Sequence, residues 1–117
     1  MQVISLECGS NPEKITEAAV ISDDPETIGI LLIEGYPIIP FSCVVDSLRA
    51  ANRLSGKNLY QWEYFAPDTN PVSASCGITV PTRALEDAKD LKTLLIVAPN
   101  TAQQFDDANT IKLLKTM

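Results

Sequence analysis

A short apolar run that does not alternate, followed closely by a helix-like segment, most constrains how this chain can fold. Residues Ile28–Ile33 read Ile-Gly-Ile-Leu-Leu-Ile, and the run stops at Glu34-Gly35. Because polar residues do not alternate with apolar ones, both faces of this strand should be buried, as in the centre of a parallel sheet.

The segment after this run predicts a helix over Phe41–Leu54. Pro40 suits the start of a helix and Gly56 suits its end. Polar residues spaced for ion pairing, Asp46, Arg49 and Arg53, fall on a separate face. The apolar face recurs with a period of 3.6 residues and consists of Phe41, Val44, Val45, Leu48 and Ala51. A strand, a turn and a helix form the first half of a β-α-β crossover.

The remaining chain supplies further elements of the same α/β kind. A strand is predicted at Leu59–Ala66, where aromatic residues alternate with polar ones. A further buried strand is predicted within Leu91–Ala98, chiefly at Thr93–Ala98. The other predicted elements are a β-ribbon at Val72–Val80, a helical turn at Leu85–Ala88 and a helix at Asp107–Lys115. The predicted fold is therefore an α/β sandwich with parallel strands near Ile28–Glu34, Leu59–Ala66 and Thr93–Ala98.

Residues 1–26 are polar and irregular, and they predict an extension ahead of a domain that spans residues 27–117. Within the extension, Val3–Leu6 could form a short strand and Glu13–Val20 a weak helical turn. The extension lacks the basic start and apolar core of a signal peptide, and no run is long enough for a membrane span. These features predict a cytoplasmic protein without a membrane partner.

Charge and residue usage narrow the function classes. The formal net charge is −6 and the pI is about 4.4, which argues against nucleic-acid binding by this segment because phosphate contacts need a basic patch. Cys8, Cys43 and Cys76 lack metal-like spacing and are predicted to be small, partly buried free thiols. The chain has no histidine, so Ser-His or Cys-His catalysis cannot be completed within it. We predict no catalytic residue, no metal site and no cofactor.

Several sequence blocks carry a further signal. The first block runs from Leu48 to Gly56 and is followed by Leu59-Tyr60-Gln61-Trp62, and Ser73–Ile78 and Thr93–Val97 come after it. In order and spacing these blocks resemble the N-terminal domain of GlxA-type regulators of the AraC family, and the resemblance covers about Ile28 to Met117. That domain belongs to the DJ-1/PfpI (class I glutamine amidotransferase-like) superfamily, whose fold is a flavodoxin-like three-layer sandwich.

The resemblance implies a sensor domain that binds a small molecule and forms a homodimer, while a C-terminal helix-turn-helix domain binds DNA. It also implies that residues 27–117 are the N-terminal part of such a domain, apparently truncated. A sheet edge and apolar helix faces are then expected to be uncovered and to favour association. A purely structural dimerisation module is a further hypothesis.

The alternative is a fragment of a DJ-1/PfpI-type hydrolase, amidase or glyoxalase. Enzymes of the superfamily place a nucleophilic cysteine at a strand-to-helix turn, which would lie beyond Met117. Many also carry a glutamate early in the first helix, where this chain has Pro40 or its neighbours. Their Pro-Gly-Gly loop is replaced here by Pro99-Asn100-Thr101. These departures favour the regulator over the enzyme.

The candidate ligand site follows from strand ends. Glu34-Gly35-Tyr36-Pro37 ends one buried strand and Asn100-Thr101 follows another. In an open parallel sheet both loops open on the same edge, where ligands collect. A carboxylate beside apolar residues suits a small nitrogenous metabolite, and the resemblance to regulators of amino-acid and betaine-type metabolism points the same way.

Overall fold

The computed structural model describes residues 24–117, so the predicted elements at Val3–Leu6 and Glu13–Val20, together with Cys8, lie outside the described residues. Six strands and two α-helices follow in chain order. They are β1 (Glu26–Leu32), α1 (Ile38–Ser55), β2 (Tyr60–Ala66), β3 (Val72–Ser73), β4 (Thr79–Val80), β5 (Arg83–Ala84), β6 (Thr93–Val97) and α2 (Ala108–Thr116). Short 3-10 helices lie at Leu85–Asp87 and Ala102–Gln104.

Four of the strands form one parallel sheet in the order β5-β2-β1-β6. β1 is central and pairs in parallel with β2 on one side, where Ile28 lies opposite Trp62, and with β6 on the other, where Ile30 lies opposite Leu95. The predicted ribbon is present as the antiparallel pair β3–β4. The α/β class and the parallel strands predicted from the sequence are confirmed.

Strand β1 is buried on both faces, as its continuous apolar run predicts. Ile30, Leu31 and Leu32 are fully buried. Ile30 and Leu32 belong to the core beneath α1, whereas Leu31 belongs to the core on the opposite face, beside α2. The sheet therefore lies between two layers, with α1 on one side and α2 with the Leu85 turn on the other.

Helix α1 packs on the sheet through the predicted apolar stripe. Phe41, Val44, Val45 and Leu48 are partly buried against the core. The helix begins earlier than predicted, at Ile38, so Pro40 lies in the first turn, where a missing backbone N–H breaks no helical hydrogen bond. It ends at Ser55, one residue beyond the predicted Leu54.

The cap at the end of α1 matches the prediction, whereas its polar face matches it only in part. Gly56 adopts the left-handed conformation at φ 67° and caps the helix. Arg49 forms the predicted ion pair with Asp46 at 2.8 Å, while Arg53 makes no ion pair within residues 24–117.

The prediction that β6 is buried is wrong for the middle of the strand. Leu95 is 36% exposed and Ile96 is 52% exposed, although Val97 is buried. The reason is position: β6 lies at the end of the strand order, with β1 on one side and no partner among the described residues on the other. The two-residue strand β5 was not predicted, because so short an element has no periodicity to detect.

The prediction of partly buried thiols is also wrong for both described cysteines. Cys43 and Cys76 are free and exposed. Cys43 lies beside a shallow groove next to Leu95 that no described element covers, and Cys76 precedes Gly77 in the turn that joins β3 to β4. Within residues 24–117, no helix is long and apolar enough to cross a lipid bilayer.

Candidate site at the carboxyl edge of the sheet

The loops that follow β1, β2 and β6 meet at one edge of the sheet and border an open cavity of about 530 Å³. Parallel strands place their carboxyl ends at the same edge, so three separate loops converge there. The cavity is lined by Ile33, Glu34, Pro67, Asp68, Asn70, Pro71, Val72, Pro99, Thr101, Ala102, Gln104, Phe105 and Asp107.

Backbone hydrogen bonds hold the loop after β1 against the β3–β4 ribbon. The N–H of Gly35 donates to the carbonyl of Ser73 at 2.9 Å, and the N–H of Ser75 donates to the carbonyl of Tyr36 at 2.9 Å. Gly35 has a φ of 79°, a conformation that glycine adopts without strain. The turn therefore needs glycine at this position, and it joins the loop to the ribbon.

Glu34 lines the cavity and is itself held in place. Its Oε2 atom accepts a hydrogen bond from the backbone N–H of Ser73 at 3.0 Å. The side chain is exposed, so its second oxygen is open to a further donor. Because one backbone amide already fixes the direction of this carboxylate, its side chain loses less conformational entropy when a ligand binds to it.

Two further carboxylates line the same cavity. Asp68 accepts from the backbone N–H of Asn70 at 2.7 Å and from its side-chain amide at 2.9 Å. Asp107 caps α2 by accepting from the backbone N–H of Thr110 at 3.1 Å and from the Thr110 hydroxyl. These bonds from Thr110, the hydroxyl first, lower the pKa of the Asp107 carboxyl below its ordinary value.

The rest of the wall is mainly apolar or uncharged, and it includes Phe105 and three prolines. Among residues 24–117, no lysine or arginine lines the cavity. Negative charge beside apolar surface is suited to a small molecule that carries a positive nitrogen and an apolar body. Across residues 24–117, no cluster of three or more acidic or cysteine side chains is arranged to hold a metal ion.

The structure brings part of the predicted site together. Glu34 and Thr101 line the cavity, and so does Pro99 from the same loop as Thr101. Gly35, Tyr36, Pro37 and Asn100 are not lining residues. Asn100 is exposed to solvent, and Gly35 shapes the turn.

Tyr36 has turned into the core beneath α1. It is fully buried, and its ring contacts Phe41 with the centroids 5.5 Å apart. Its hydroxyl has no hydrogen-bond partner among the described residues. Burial, followed by the nearby Cys76, Glu34 and Tyr64, raises the pKa of this hydroxyl.

Sequence reasoning missed Asp68, Asn70, Phe105 and Asp107 as cavity residues. A signal for the first two was present, because Pro67–Pro71 follows a predicted parallel strand and so must open on the same edge. Phe105 and Asp107 reach the cavity because the chain turns back after β6 through the 3-10 helix Ala102–Gln104. No short-range sequence pattern predicts that turn.

Known proteins similar to this chain are transcriptional regulators of the helix-turn-helix type. GbdR of Pseudomonas aeruginosa is 38% identical over 64 residues, which cover 55% of this chain and 17% of GbdR. GlxA of Rhizobium meliloti is 29% identical over 89 residues, or 75% of this chain and 28% of GlxA. CdhR of P. aeruginosa is 39% identical over 69 residues, or 58% of this chain and 20% of CdhR. This chain thus matches less than a third of the length of each.

A solved structure shares the fold. The AraC family transcriptional regulator from Pseudomonas putida superposes with a TM-score of 0.62 at 21% identity, over 79% of this chain and 50% of that chain. No protein-family model matches the sequence. The predicted resemblance to GlxA-type helix-turn-helix regulators is confirmed by these relatives, whereas the AraC family and the DJ-1/PfpI superfamily stay predictions.

Proposed function

We propose that this chain is the ligand-sensing and dimerisation domain of an AraC-type transcriptional regulator, and that it binds a small nitrogenous metabolite in the carboxyl-edge cavity. DNA binding is assigned to a helix-turn-helix domain outside these 117 residues. The acidic cavity at the meeting point of three strand ends carries the proposal, and the similarity to named regulators supports it.

The chemistry of the cavity selects the class of ligand. Glu34, Asp68 and Asp107 approach it from three different loops, and no basic side chain in the wall offsets their charge. A primary, secondary or quaternary ammonium group would be attracted to them, while its apolar part would rest against Phe105 and the prolines. Thr101 and Gln104 can donate hydrogen bonds to a polar group at the other end of such a molecule.

The enzyme alternative draws no support from this cavity. Neither Cys43 nor Cys76 is a lining residue, and the chain has no histidine to activate a nucleophile. A bound metabolite would therefore be held rather than transformed by the residues described here, which is the behaviour expected of a sensor.

Calorimetric titration of the chain with a panel of amines, amino acids and betaines tests the proposal. We expect at least one member to bind, and we expect Glu34→Gln and Asp68→Asn each to weaken it about tenfold, equivalent to about 1.4 kcal/mol. Glu86→Gln is the matched control, because Glu86 is exposed and lies outside the cavity wall.

Asn100→Ala distinguishes the site predicted from the sequence from the cavity found in the structure. It should leave ligand affinity unchanged, because Asn100 does not line the cavity. Binding that survives both Glu34→Gln and Asp68→Asn would refute the site. The absence of binding by every compound would refute the ligand class.

A further inference from the structure

Asp107 belongs to two parts of the molecule, because it lines the carboxyl-edge cavity and also caps the first turn of α2. Its Oδ2 atom accepts hydrogen bonds from both the backbone N–H and the hydroxyl of Thr110. Thr110 is fully buried and does not line the cavity. The direction of a carboxylate in the cavity wall is therefore set by a residue outside that wall.

The chain between β6 and α2 is a hydrogen-bonded turn that faces the cavity. The N–H of Ala102 donates to the carbonyl of Pro99 at 2.9 Å, and the N–H of Gln104 donates to the carbonyl of Thr101 at 2.9 Å. The N–H of Phe105 donates to the carbonyl of Ala102 at 3.0 Å. All five residues line the cavity, so a molecule that fixes one of them restricts the whole turn that leads into α2.

The cavity also shares apolar residues with the core beside α2. Ile33 and Phe105 both line the cavity. Ile33 belongs to that core, and Phe105 packs against it together with Leu113 and Leu114 of α2. A molecule seated on Ile33 and Phe105 would therefore rest on the same apolar cluster that holds α2 on the sheet.

We propose that ligand binding in the cavity and the docking of α2 on the sheet stabilise each other through Asp107, and that Thr110 is the positioning residue of this link. A carboxylate can accept about four hydrogen bonds and Thr110 supplies two of them, so Asp107 can attract an ammonium group without releasing the helix cap. A nearby positive charge favours the ionised carboxylate, which is the better helix cap. Binding therefore steadies α2, and a loosened α2 weakens binding in turn.

This inference rests on the proposed function, and it adds how an occupied site affects a distant element. Glu34 and Asp68 approach the cavity from the loops after β1 and β2, which do not lead into α2. Asp107 is the one of the three carboxylates that caps a helix in the described part of the chain. All three would attract a cation, but only Asp107 would transmit its presence to α2.

Calorimetric titration with butylamine, 4-aminobutyrate and tetramethylammonium provides the first test; these are a primary amine, an amino acid and a quaternary ammonium ion. For the compound that the wild type binds most tightly, we expect Thr110→Val to weaken binding about fivefold, because the carboxylate loses one of its two bonds. Thr110→Ser keeps the hydroxyl and should recover most of the affinity.

Thr116→Val is the matched control on the same helix. The exposed Thr116 hydroxyl donates to the carbonyl of Leu113 at 2.8 Å, at the end of α2 away from the cavity, so its loss should leave affinity unchanged. Circular dichroism checks that each variant is folded at the temperature of the titration.

A double-mutant cycle tests whether Thr110 acts through Asp107. Asp107→Ala removes the carboxylate, and adding Thr110→Val to it should weaken binding no further. Additive losses would overturn the positioning role, because a purely structural effect of the valine would persist without the carboxylate.

Hydrogen exchange observes α2 directly. At saturating concentrations, the bound compound should slow exchange of the Thr110 and Ile111 amides about threefold or more in the wild type, and should not do so in Asp107→Ala. Either unchanged affinity in Thr110→Val or no change at these amides on binding would refute the link. If Glu34→Gln still weakens binding in that case, the proposed ligand site stands. If no compound of the panel binds the wild type, the link is refuted together with the proposed ligand class.

Discussion

The side chain of Asn52 bonds both backbone polar groups of Tyr60. Its Oδ1 accepts from the N–H of Tyr60 at 2.9 Å, and its Nδ2 donates to the carbonyl of the same residue at 2.7 Å. The same Oδ1 also accepts from the N–H of Leu59 at 2.8 Å. One amide near the end of α1 thus determines where β2 begins, which links the helix to the register of the sheet.

Replacing Asn52 with alanine should lower the free energy of unfolding by about 1–3 kcal/mol, because partly buried backbone groups lose their partners. Urea denaturation measures the change. Asn58→Ala is the control in the same loop, since Asn58 makes only a 3.3 Å bond to Asn52 and should cost much less. Equal costs for the two substitutions would show that Asn52 does not hold the strand.

Gly29→Ala should also destabilise the chain, because a Cβ at this position would lie 2.5 Å from Cδ1 of Leu91 and 2.9 Å from Cδ1 of Leu94. We expect a loss of about 1–3 kcal/mol from overpacking. The double variant Gly29→Ala with Leu91→Ala should cost less than the sum of the two single changes, since the truncated leucine makes room. Strict additivity in thermal or urea unfolding would contradict this packing.

Tyr36→Phe should leave the free energy of unfolding unchanged or raise it by up to about 1–2 kcal/mol, because the buried hydroxyl that it removes has no described partner. Tyr64→Phe is the matched control. The Tyr64 hydroxyl accepts from Nε1 of Trp62 at 3.0 Å, so its removal should destabilise. A large loss in Tyr36→Phe would reveal a partner for that hydroxyl.

The raised pKa of Tyr36 predicts a loss of stability at alkaline pH. The folded state holds the phenolic proton more tightly than the unfolded state, so this contribution is complete below the unfolded pKa of about 10 and falls as pH rises beyond it. The loss should be smaller in Tyr36→Phe than in the wild type when unfolding is measured across this range. Identical alkaline profiles would contradict it.

The lowered pKa of Asp107 predicts the opposite pH dependence, which is a loss of stability in acid. Because bonds from Thr110 lower the pKa of its carboxyl, its stabilising contribution is present above the unfolded pKa of about 4 and is lost as pH falls below it. Asp107→Ala should lower the melting temperature at neutral pH and flatten the acid dependence. Asp106→Ala, at an exposed neighbour outside the cap, should do neither.

How far the sequence could predict the fold depends on the range of the interaction involved. The strand at Ile28–Ile33 was predictable from its continuous apolar run, and the helix after it from its period and capping residues, because all of these are local signals. Thr93–Val97 carries the same kind of apolar pattern, yet Leu95 and Ile96 are exposed, because exposure depends on the strand order. Strand order results from tertiary packing, so the five residues of β6 contain no sequence signal for it.

The candidate site was likewise predictable only where the sequence signal is local. Glu34 and Thr101 could be placed at the carboxyl edge because they directly follow strands whose direction was predictable. Tyr36 could not be separated from them by sequence, because its direction depends on the left-handed turn at Gly35 and on the bridge that pairs Tyr36 with Ala74. Two residues along the loop, from Glu34 to Tyr36, the side chain moves from the cavity to the core.

The hydrogen bond between the Glu34 carboxylate and the Ser73 amide would couple the affinity of the proposed ligand to the order of the β3–β4 ribbon. A ligand that drew this carboxylate away would release the Ser73 N–H and loosen the β3–β4 ribbon, so part of its binding energy would go into that release. Thermodynamic reciprocity then requires that anything which steadies the ribbon weakens such a ligand by the same factor. A ligand that used only the free oxygen of Glu34 would leave the ribbon unchanged.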